Sequence, residues 1–400
     1  MQSLKTALKE AAWVFIVSRV VILFVTYIAI ALLPQFATYQ GHAVHFLACT
    51  QGIRPNPCYF AWFHWDAIAY ARIAHQGYAA TSDVAFFPLW PFLVGIVGLL
   101  FGGVYPISYY LAGLLLSNLF FFIALVLFYC LIAEDFEQSV ARRALFYLSF
   151  YPYALFFFAG YTESIFLLLC LGVFLLLRRG KALDWWLAGA LSFLATLTRS
   201  TGVLLAIPFL VLYIQRYWLP STRGQSSFWQ KANAIIPIML IPAALLVYMA
   251  YLWQTKGNPL IFQVAEAKYW TRHFAFIGSS LLTAMSTILH SSRFSVPAIL
   301  NLLDLLFIAI PVIALALGWR RLPLHYSLFA LGIVLFSLSF PTTQFNLLES
   351  QPRYLMAAFP IIVVFALWGK RARFDQLYTG FAPALLALFS ILFILHFWVA

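Results

Sequence analysis

Long apolar runs separated by short polar segments make up almost the whole chain, and few of the apolar runs contain a charged residue. A helix needs about 20 apolar residues to cross the hydrocarbon core of a bilayer. The pattern therefore predicts an all-α polytopic membrane protein with about 11 transmembrane helices. The predicted spans are Ala12–Leu33, Pro106–Ala133, Ala144–Gly160, Thr162–Leu177, Trp185–Leu197, Val203–Gln215, Asn233–Trp253, Pro297–Gly318, Leu324–Pro341, Tyr354–Trp368 and Gly380–Trp398.

Basic residues cluster between these spans and predict the topology, because cytoplasmic loops carry an excess of Lys and Arg. With the N-terminus inside, every cluster faces the cytoplasm only if Phe86–Phe101 does not cross. We therefore predict that Phe86–Phe101 is a half-buried or re-entrant helix on the outer side. The long first outer loop is then 34–105, followed by outer loops at 254–296 and 342–353. The clusters are Lys5/Lys9, Arg142/Arg143, Arg178/Arg179/Lys181, Arg216/Arg223/Lys231, Arg320/Arg321 and Lys370/Arg371/Arg373.

Composition supports a membrane protein and excludes a soluble domain. Hydrophobic residues make up 64% of the 400 residues and charged residues 9%, whereas about 25% of a soluble chain is charged. The net charge of +12 thus reflects topology rather than nucleic-acid binding. The first apolar run is too long for a cleavable signal peptide. No N-x-S/T sequon occurs, which favours a prokaryotic source or an unglycosylated protein.

The four cysteines show no metal-type spacing. Cys130 and Cys170 lie inside apolar runs and are expected to be small core residues. Cys49 and Cys58 share the first outer loop, where oxidation is permitted, so a disulfide and two free thiols are both open.

The first outer loop contains the stretch with the most chemistry. Residues Asp66–Gln76 are predicted to form a helix that Gly77 ends. Asp66, at its start, would face the membrane surface and could reach a lipid-borne substrate; the alternative is that Asp66 is simply an N-cap. An apolar stripe predicts that this helix lies flat on the membrane. The stripe consists of Ile68, Ala69 and Ile73.

Three further polar blocks fall on the outer side in this topology. Glu163 follows Tyr161 between two spans, Arg199 lies at an outer turn, and Arg353 precedes Tyr354 at the mouth of a late span. Each has an ordinary alternative. Glu163 suits the first turn of a helix, Arg199 could anchor at the interface, and Arg353 could snorkel or hold a phosphate.

Eight basic residues lie in outer loops against the topology bias, and anion binding is one local reason for such a position. They are Arg54, Arg72, Arg199, Lys256, Lys268, Arg272, Arg293 and Arg353. Arg19 and Asp304 lie inside predicted spans, where an ionisable residue is a functional candidate by default. The alternatives are a snorkelling Arg19 and a hydrogen-bonded Asp304.

Several kinds of site are excluded by the motifs. There is no GxGxxG, no P-loop and no DxD motif, so no nucleotide sugar or ATP is bound in a recognised way, and a sugar donor would be membrane-borne. His64 and His75 are not part of an HxxxH or HExxH motif, and packing is their ordinary role. No outer carboxylate pair has the spacing of metal ligands, so no metal is required.

Taken in order, these motifs resemble the PIG-V-type mannosyltransferases, the enzymes that add the second mannose of GPI anchors, together with their prokaryotic relatives. The resemblance runs from about Arg19 to Pro360. The matching residues are Trp65-Asp66-Ala67, Gly77-Tyr78, Ala85-Phe86-Phe87-Pro88, Pro91, Tyr161-Thr162-Glu163-Ser164, Thr198-Arg199-Ser200, Gly202 and Pro352-Arg353-Tyr354.

The resemblance implies a GT-C membrane glycosyltransferase, with residues 1–400 forming one transmembrane domain. It implies a polyprenyl-phosphate-linked mannose donor, inverting transfer, no cofactor beyond the donor and a catalytic carboxylate in the first outer loop, which by position is Asp66. Partners would be membrane lipids, the donor and a glycolipid or glycan acceptor, with no nucleic acid. Eukaryotic members carry acidic and His residues where this chain has Ile68, Ala69, Thr81 and Ser82, which implies a different acceptor.

On this hypothesis Asp66 is the general base, and Arg199 and Arg353 stabilise the departing phosphate. Trp65, Tyr161 and Glu163 would line the sugar cavity. We expect these outer blocks to converge on one cavity at the non-cytoplasmic surface of a prokaryotic cell membrane, or of the endoplasmic reticulum in a eukaryote. The predicted substrate-binding residues are His64, Trp65, Arg72, His75, Phe87, Tyr161, Glu163, Arg199, Arg353 and Tyr354.

Two other functions stay open. A flippase or transporter of lipid-linked saccharides usually shows paired repeats and several ionisable residues at mid-membrane, whereas the polar residues here crowd at the outer face. A polymerase or ligase of lipid-linked glycans would share the long outer loop and is harder to exclude.

Overall fold

The computed structural model describes residues 2–32, 60–219, 227–290, 296–342, 348, 350–395, 397 and 399. Cys49 and Cys58 lie outside the described residues. Within them the secondary structure is helical, without a β-strand. The residue contacts divide the chain into two compact units. The first unit comprises 1–77, 91–164 and 368–399, and the second comprises 78–90 and 165–367.

The α-helices are numbered here in chain order. The N-terminal half contains α1 (Gln2–Leu32), α2 (Asp66–Gln76), α3 (Leu89–Leu100), α4 (Ile107–Asp135), α5 (Gln138–Ser149), α6 (Glu163–Arg179), α7 (Ala182–Thr198) and α8 (Ala206–Tyr217). The C-terminal half contains α9 (Phe228–Ile235), α10 (Leu240–Lys256), α11 (Ile261–Tyr269), α12 (Ile277–His290), α13 (Val296–Gly318), α14 (Leu324–Leu338), α15 (Gln351–Tyr354), α16 (Pro360–Trp368) and α17 (Ala372–Ile394).

The described residues include six helical segments that are long and apolar enough to cross a membrane. The chain is therefore an integral membrane protein built from helices, as predicted; the number of eleven spans stays a prediction. The segments are Leu4–Ala31, Ile107–Asp135, Ser200–Tyr217, Phe228–Lys256, Asn301–Arg321 and Ala372–Ile394.

Two predicted spans are wrong as continuous helices, and proline explains both. Helix α5 ends at Ser149, and an irregular segment with a short 3-10 turn replaces the helix predicted up to Gly160. Pro152 lies just after this end; a proline has no N–H to donate and disfavours helix at the residue before it. The predicted span Tyr354–Trp368 is broken in the same way, with a bend of 84° between Gln351–Ala357 and Pro360–Trp368.

The apolar stretch that was predicted not to cross contains α3, from Leu89 to Leu100. At 1.5 Å per residue its 12 residues span about 18 Å, well short of the roughly 30 Å of a hydrocarbon core. Its length fits the predicted half-buried or re-entrant helix. The side of the membrane on which it lies stays a prediction.

Arg19 and Asp304, the two charged residues that the sequence analysis singled out inside spans, are both buried. Arg19 is 7% exposed in α1, and Asp304 is 8% exposed in α13. Since the Arg19 side chain points into the first unit, the snorkelling alternative is wrong.

Charged contacts join the helix ends of the first unit on the side predicted to be cytoplasmic. Arg142 Nε lies 3.0 Å from Glu10 Oε1, and Lys370 Nζ lies 2.8 Å from Glu137 Oε1. The hydrogen bond from Lys370 lowers the pKa of Glu137. Such exposed pairs contribute little stability, but they show that two of the predicted basic clusters have acidic neighbours.

Candidate functional site

The helix that carries Asp66 forms where the sequence predicts it. Helix α2 runs from Asp66 to Gln76, and the N–H of Gly77 donates to the Ile73 carbonyl. Gly77 has φ +70°, a conformation that glycine adopts without cost. The N-cap position belongs to Trp65, without a side-chain capping bond. The N-cap alternative for Asp66 is therefore wrong, because Asp66 is the first residue inside the helix.

Trp65 adopts a strained backbone immediately before Asp66. Its φ and ψ are 46° and −114°, a region that a bulky L-residue rarely occupies. Such a conformation costs about 1–3 kcal/mol and persists only where the surroundings enforce it. Here the indole packs edge-on against Phe393 at 4.9 Å between ring centroids. The turn into α2 is thus held in one particular geometry.

A hydrogen bond from a distant segment fixes the same turn. Tyr161 is buried, and its hydroxyl donates to the His64 carbonyl at 3.1 Å. That carbonyl also accepts the Ala67 N–H at 3.0 Å. The His64 ring is buried and lies 5.5 Å from Phe393. The first unit therefore brings Tyr161 to the turn that carries His64 and Trp65.

The other candidates of the first unit are placed differently. Glu163 is buried in the first turn of α6, two residues after Tyr161. Arg72 is half-buried on α2. His75 lies at the far end of α2, about 13.5 Å along its axis from Asp66. It is exposed and stacks on Tyr105 at 5.0 Å.

The apolar stripe predicted for α2 is only partly correct. Ala69 and Ile73 are buried in the first unit, whereas Ile68 is 38% exposed. Neighbouring helical residues differ by about 100° in direction, so Ile68 cannot share a face with Ala69. The buried side of α2 contacts α4. The helix is packed within the unit along this face, and its orientation to the membrane stays a prediction.

In the second unit, Phe87 is a packing residue. Its side chain is 6% exposed and lies 5.0 Å from the Tyr248 ring and 5.9 Å from Phe262. The Tyr248 hydroxyl donates to the Val84 carbonyl at 2.7 Å. Lys256, one of the outer basic residues, donates to the Tyr78 carbonyl at 2.7 Å. These contacts fix the shape of the loop that precedes α3.

Three arginines of the second unit surround one tyrosine ring. The guanidinium carbons of Arg199, Arg272 and Arg353 lie 4.8, 4.9 and 5.2 Å from the centroid of Tyr354. Arg272 Nη1 donates a hydrogen bond to the Tyr354 hydroxyl, and Arg353 Nη2 lies 3.5 Å from the same oxygen. We call these four residues the arginine cluster.

The local backbone conformation determines where each residue of the arginine cluster lies. Arg199 ends α7 with an extended conformation, and its carbonyl accepts the Gly202 N–H at 2.9 Å. Ser350, with φ +65°, is the N-cap residue of the short helix that carries Arg353. The Arg272 N–H donates to the Glu266 carbonyl at 3.2 Å, which turns the chain back after α11.

The electrostatics of the cluster favour an anion. Arg199 and Arg272 are at most about 9.7 Å apart, because both lie within 4.9 Å of one centroid. Two unit charges at that distance repel by about 1.7 kcal/mol at an effective dielectric constant of 20. Burial alone would lower the pKa of Arg272, but Tyr354 and the Glu266 carboxylate outweigh it and raise that pKa. Arg272 therefore stays charged.

The sequence predicted Arg199, Arg353 and Tyr354 as site residues but did not single out Arg272. Its signal was its place among the eight outer basic residues. That signal did not separate it from Lys256, which binds a backbone carbonyl. The prediction that the outer blocks of both units share one cavity stays a prediction. Among the described residues, no group of three or more His, Cys, Asp or Glu side chains could hold a metal, and metal independence also stays a prediction.

Most of the chain is similar to known mannosyltransferases. The family model described as mannosyltransferase (PIG-V) matches residues 9–264. The chain is 26% identical over 230 residues to GPI mannosyltransferase 2 of Schizosaccharomyces pombe, which covers 54% of this chain and 48% of the relative. It is 32% identical over 203 residues to GPI alpha-1,6-mannosyltransferase 2 of Mus musculus, covering 47% and 40%. The chain thus spans half or less of the length of these relatives.

Solved structures of an oligosaccharyltransferase from Archaeoglobus fulgidus show a distant likeness. One, tethered to an acceptor peptide, is matched at a TM-score of 0.40 and 14% identity, covering 84% of this chain and 48% of that chain. Another, in complex with an inhibitory peptide and a dolichol-phosphate, is matched at 0.40 and 13%, covering 84% and 51%.

Proposed function

This chain belongs to the mannosyltransferase (PIG-V) family, and we propose that it transfers a hexose from a polyprenyl-phosphate-linked donor to a membrane-associated acceptor. Because of its family, the proposed hexose is mannose. The reaction inverts the configuration at the anomeric carbon, and Asp66 is the general base. The relatives carry the names of GPI mannosyltransferases. Because this chain covers half or less of them, its acceptor is proposed only as a lipid-linked or other extracytoplasmic glycan.

The observation that carries this proposal is the geometry of the turn before Asp66. The strained Trp65 and the hydrogen bond from Tyr161 to the His64 carbonyl hold the start of α2 in place. Strain of this kind clusters at active sites, where it is part of pre-organisation. A half-buried carboxylate on such a turn is suited to take a proton from a bound hydroxyl.

In the proposed step, the acceptor hydroxyl oxygen attacks the anomeric carbon of the donor from the face opposite the phosphate. The bond between that carbon and the phosphate oxygen breaks, and its electron pair leaves with the polyprenyl phosphate. The hydroxyl proton passes to the Asp66 carboxylate. General-base assistance of this kind typically contributes about 10²–10⁴-fold in rate.

The arginine cluster is proposed to bind the donor phosphate. Guanidinium groups form charge-assisted, often bidentate, hydrogen bonds to phosphate oxygens. Three of them around Tyr354 would stabilise the charge that grows on the leaving phosphate. Arg199 and Arg353 take the roles that the sequence suggested, and Arg272 joins them.

Trp65, Tyr161 and Glu163 are proposed to form part of the wall of the sugar cavity. No cofactor besides the lipid-linked donor is proposed, and no metal. The setting is a cell membrane of a prokaryote, with the reaction on the non-cytoplasmic side, where the donor phosphate stays at the interface while its chain stays in lipid.

The test is transfer by the purified protein in lipid nanodiscs. The protein is incubated with polyprenyl-phosphate-mannose carrying a radiolabelled sugar and with a membrane lipid extract, and mannosylated products are separated by chromatography. We expect a labelled product with the wild-type protein. Asp66→Asn should lower turnover by about 10²–10⁴-fold.

The matched control is Asp184→Asn. Asp184 lies in the first turn of α7, and its carboxylate accepts the Lys181 N–H at 3.3 Å, a bond that an asparagine side chain can also accept. This variant should transfer at the wild-type rate. Undiminished transfer by Asp66→Asn would remove Asp66 as the base, and donor moved across the bilayer without any product would favour a flippase.

A further inference from the structure

An arginine in the middle of a membrane-spanning helix is the feature of the first unit that the proposed reaction does not use. Arg19 lies 15 residues after Leu4 in the candidate span Leu4–Ala31, about 22 Å along the helix axis. A buried ionisable group at this depth is costly and calls for a specific partner.

The contacts of Arg19 are aromatic rings and one carbonyl. Its guanidinium carbon lies 4.9, 4.6 and 5.8 Å from the ring centroids of Phe15, Phe121 and Phe158. Nη2 donates to the Phe157 carbonyl at 3.2 Å. The three rings make cation–π contacts with the guanidinium, and the hydrogen bond to the Phe157 carbonyl is its directed polar contact.

The Phe157 carbonyl lies in the irregular segment 150–162 and accepts hydrogen bonds from several donors. The hydroxyl groups of Ser117 and Ser164 lie within 3.3 and 3.2 Å of the same oxygen. A carbonyl outside a regular helix must find donors within the protein when lipid surrounds the unit. Arg19 contributes the charged donor, and a charged donor makes the stronger hydrogen bond.

The same segment reaches the turn that carries Asp66. Four residues after Phe157, the Tyr161 hydroxyl donates to the His64 carbonyl at 3.1 Å. His64 is followed by the strained Trp65 and then by Asp66. A continuous series of contacts within one unit therefore leads from Arg19 through Phe157 and Tyr161 to the start of α2.

We propose that Arg19 is a positioning residue: through the Phe157 carbonyl it holds segment 150–162 in the conformation in which Tyr161 fixes the turn before Asp66. This role rests on the proposed function of Asp66. The irregular segment lies between α5 and α6 and has fewer internal hydrogen bonds than a helix would, so donors from outside it, with Arg19 the charged one, help to define its path.

Four variants test this role in nanodiscs. Arg19→Met removes the donor and keeps an apolar side chain of similar length, Arg19→Lys keeps one charged donor, and Tyr161→Phe removes the hydroxyl. The control is Ser18→Ala: Ser18 is buried beside Arg19, but its hydroxyl donates to the Phe15 carbonyl within its own helix.

Steady-state kinetics should separate positioning from general stability. We expect kcat for mannose transfer to fall about 10- to 100-fold in Arg19→Met, since a displacement of about 1 Å can cost that much, with little change in the donor KM. Arg19→Lys should recover part of this loss. Because the two residues act in series, Arg19→Met combined with Tyr161→Phe should be no slower than the slower single variant. Ser18→Ala should match the wild type.

Hydrogen–deuterium exchange supplies a readout that does not depend on transfer. Amide exchange should rise in 62–66 and in 150–162 for Arg19→Met, and not for Ser18→Ala. If the wild type transfers no mannose, the proposed function fails while this exchange pattern still decides the linkage.

The role of Arg19 is overturned if exchange in 62–66 is unchanged in the Arg19 variants. It is also overturned if the kinetic losses of Arg19→Met and Tyr161→Phe multiply while thermal stability falls in parallel. Should Arg19→Met not fold, Arg19→Lys carries both readouts, because it keeps the charge and loses the planar geometry of the guanidinium.

Discussion

Replacing Arg272 by glutamine tests whether the arginine cluster is a phosphate site. Arg272 Nη1 donates a hydrogen bond to the Tyr354 hydroxyl, and the guanidinium groups of Arg272, Arg199 and Arg353 all lie close to the Tyr354 ring. Arg272→Gln removes one of three charges and keeps a polar side chain. The control is Lys268→Gln, which removes one charge from an exposed position four residues earlier on the same segment.

The expected size of the effect follows from the geometry. A phosphate about 4 Å from a guanidinium gains about 4 kcal/mol at an effective dielectric constant of 20 and about 1 kcal/mol in bulk water. A charged hydrogen bond contributes about 1.5–3 kcal/mol. The mutual repulsion of Arg199 and Arg272, at least about 1.7 kcal/mol, is relieved in the variant and offsets part of the lost interactions with Tyr354 and the Glu266 carboxylate. Binding should therefore weaken about 10- to 100-fold, while thermal stability changes little.

The assay is the dissociation constant of a short-chain polyprenyl phosphate, measured by fluorescence competition in nanodiscs at fixed ionic strength. Inorganic phosphate in a parallel titration separates recognition of the lipid from recognition of the phosphate alone. Equal affinities of Arg272→Gln and the wild type would refute the phosphate site. So would an equal loss in Lys268→Gln, because the cause would then be the general charge of the loop.

Three further predictions concern topology, charge and backbone. Lys181→Cys should not react with an impermeant thiol reagent added to intact cells, because its basic cluster is predicted to face the cytosol; labelling from outside would contradict the topology. The lowered pKa of Glu137 means that its contact with Lys370 stabilises the fold at neutral pH and loses that effect as pH falls through the lowered value. Glu137→Gln should therefore have a slightly lower melting temperature than the wild type at about pH 7, and the two proteins should melt together once the pH lies well below the lowered pKa of Glu137; a difference that persists there would exclude the ion pair as the cause. Gly202→Ala should lower the melting temperature and the affinity for polyprenyl phosphate, because a Cβ there would lie 2.5 Å from the backbone of Thr196; an unchanged melting curve would show that the turn yields easily.

Local signals were sufficient for the helix that carries Asp66. A helix-forming stretch followed by Gly77 defined α2 to the residue, because helix ends depend on neighbours in sequence. Hydropathy alone failed where two spans are interrupted. Pro152 and Pro360 indicate both breaks in the sequence. Hydropathy averaged over a window of residues is insensitive to them, because one missing backbone N–H donor does not change the average.

The arginine cluster could be predicted only in part, for a different reason. Arg272 and Tyr354 are 82 residues apart, and no local pattern pairs them. By the predicted topology, Arg272 is one of eight basic residues that are distributed over several outer loops. What singles it out is the fold of the second unit, which carries it to the ring of Tyr354.

Asp66 lies next to residues of the first unit that break ordinary rules of backbone conformation and of membrane-helix composition. A bulky residue at φ 46° and an arginine within a membrane span are each unfavourable alone. Both connect to the start of α2, Trp65 directly and Arg19 through Phe157 and Tyr161. Natural sequences keep such departures chiefly at functional sites. Positioning of Asp66 requires that an apolar side chain at Arg19 and a glycine at Trp65 each reduce turnover by more than the accompanying loss of thermal stability accounts for.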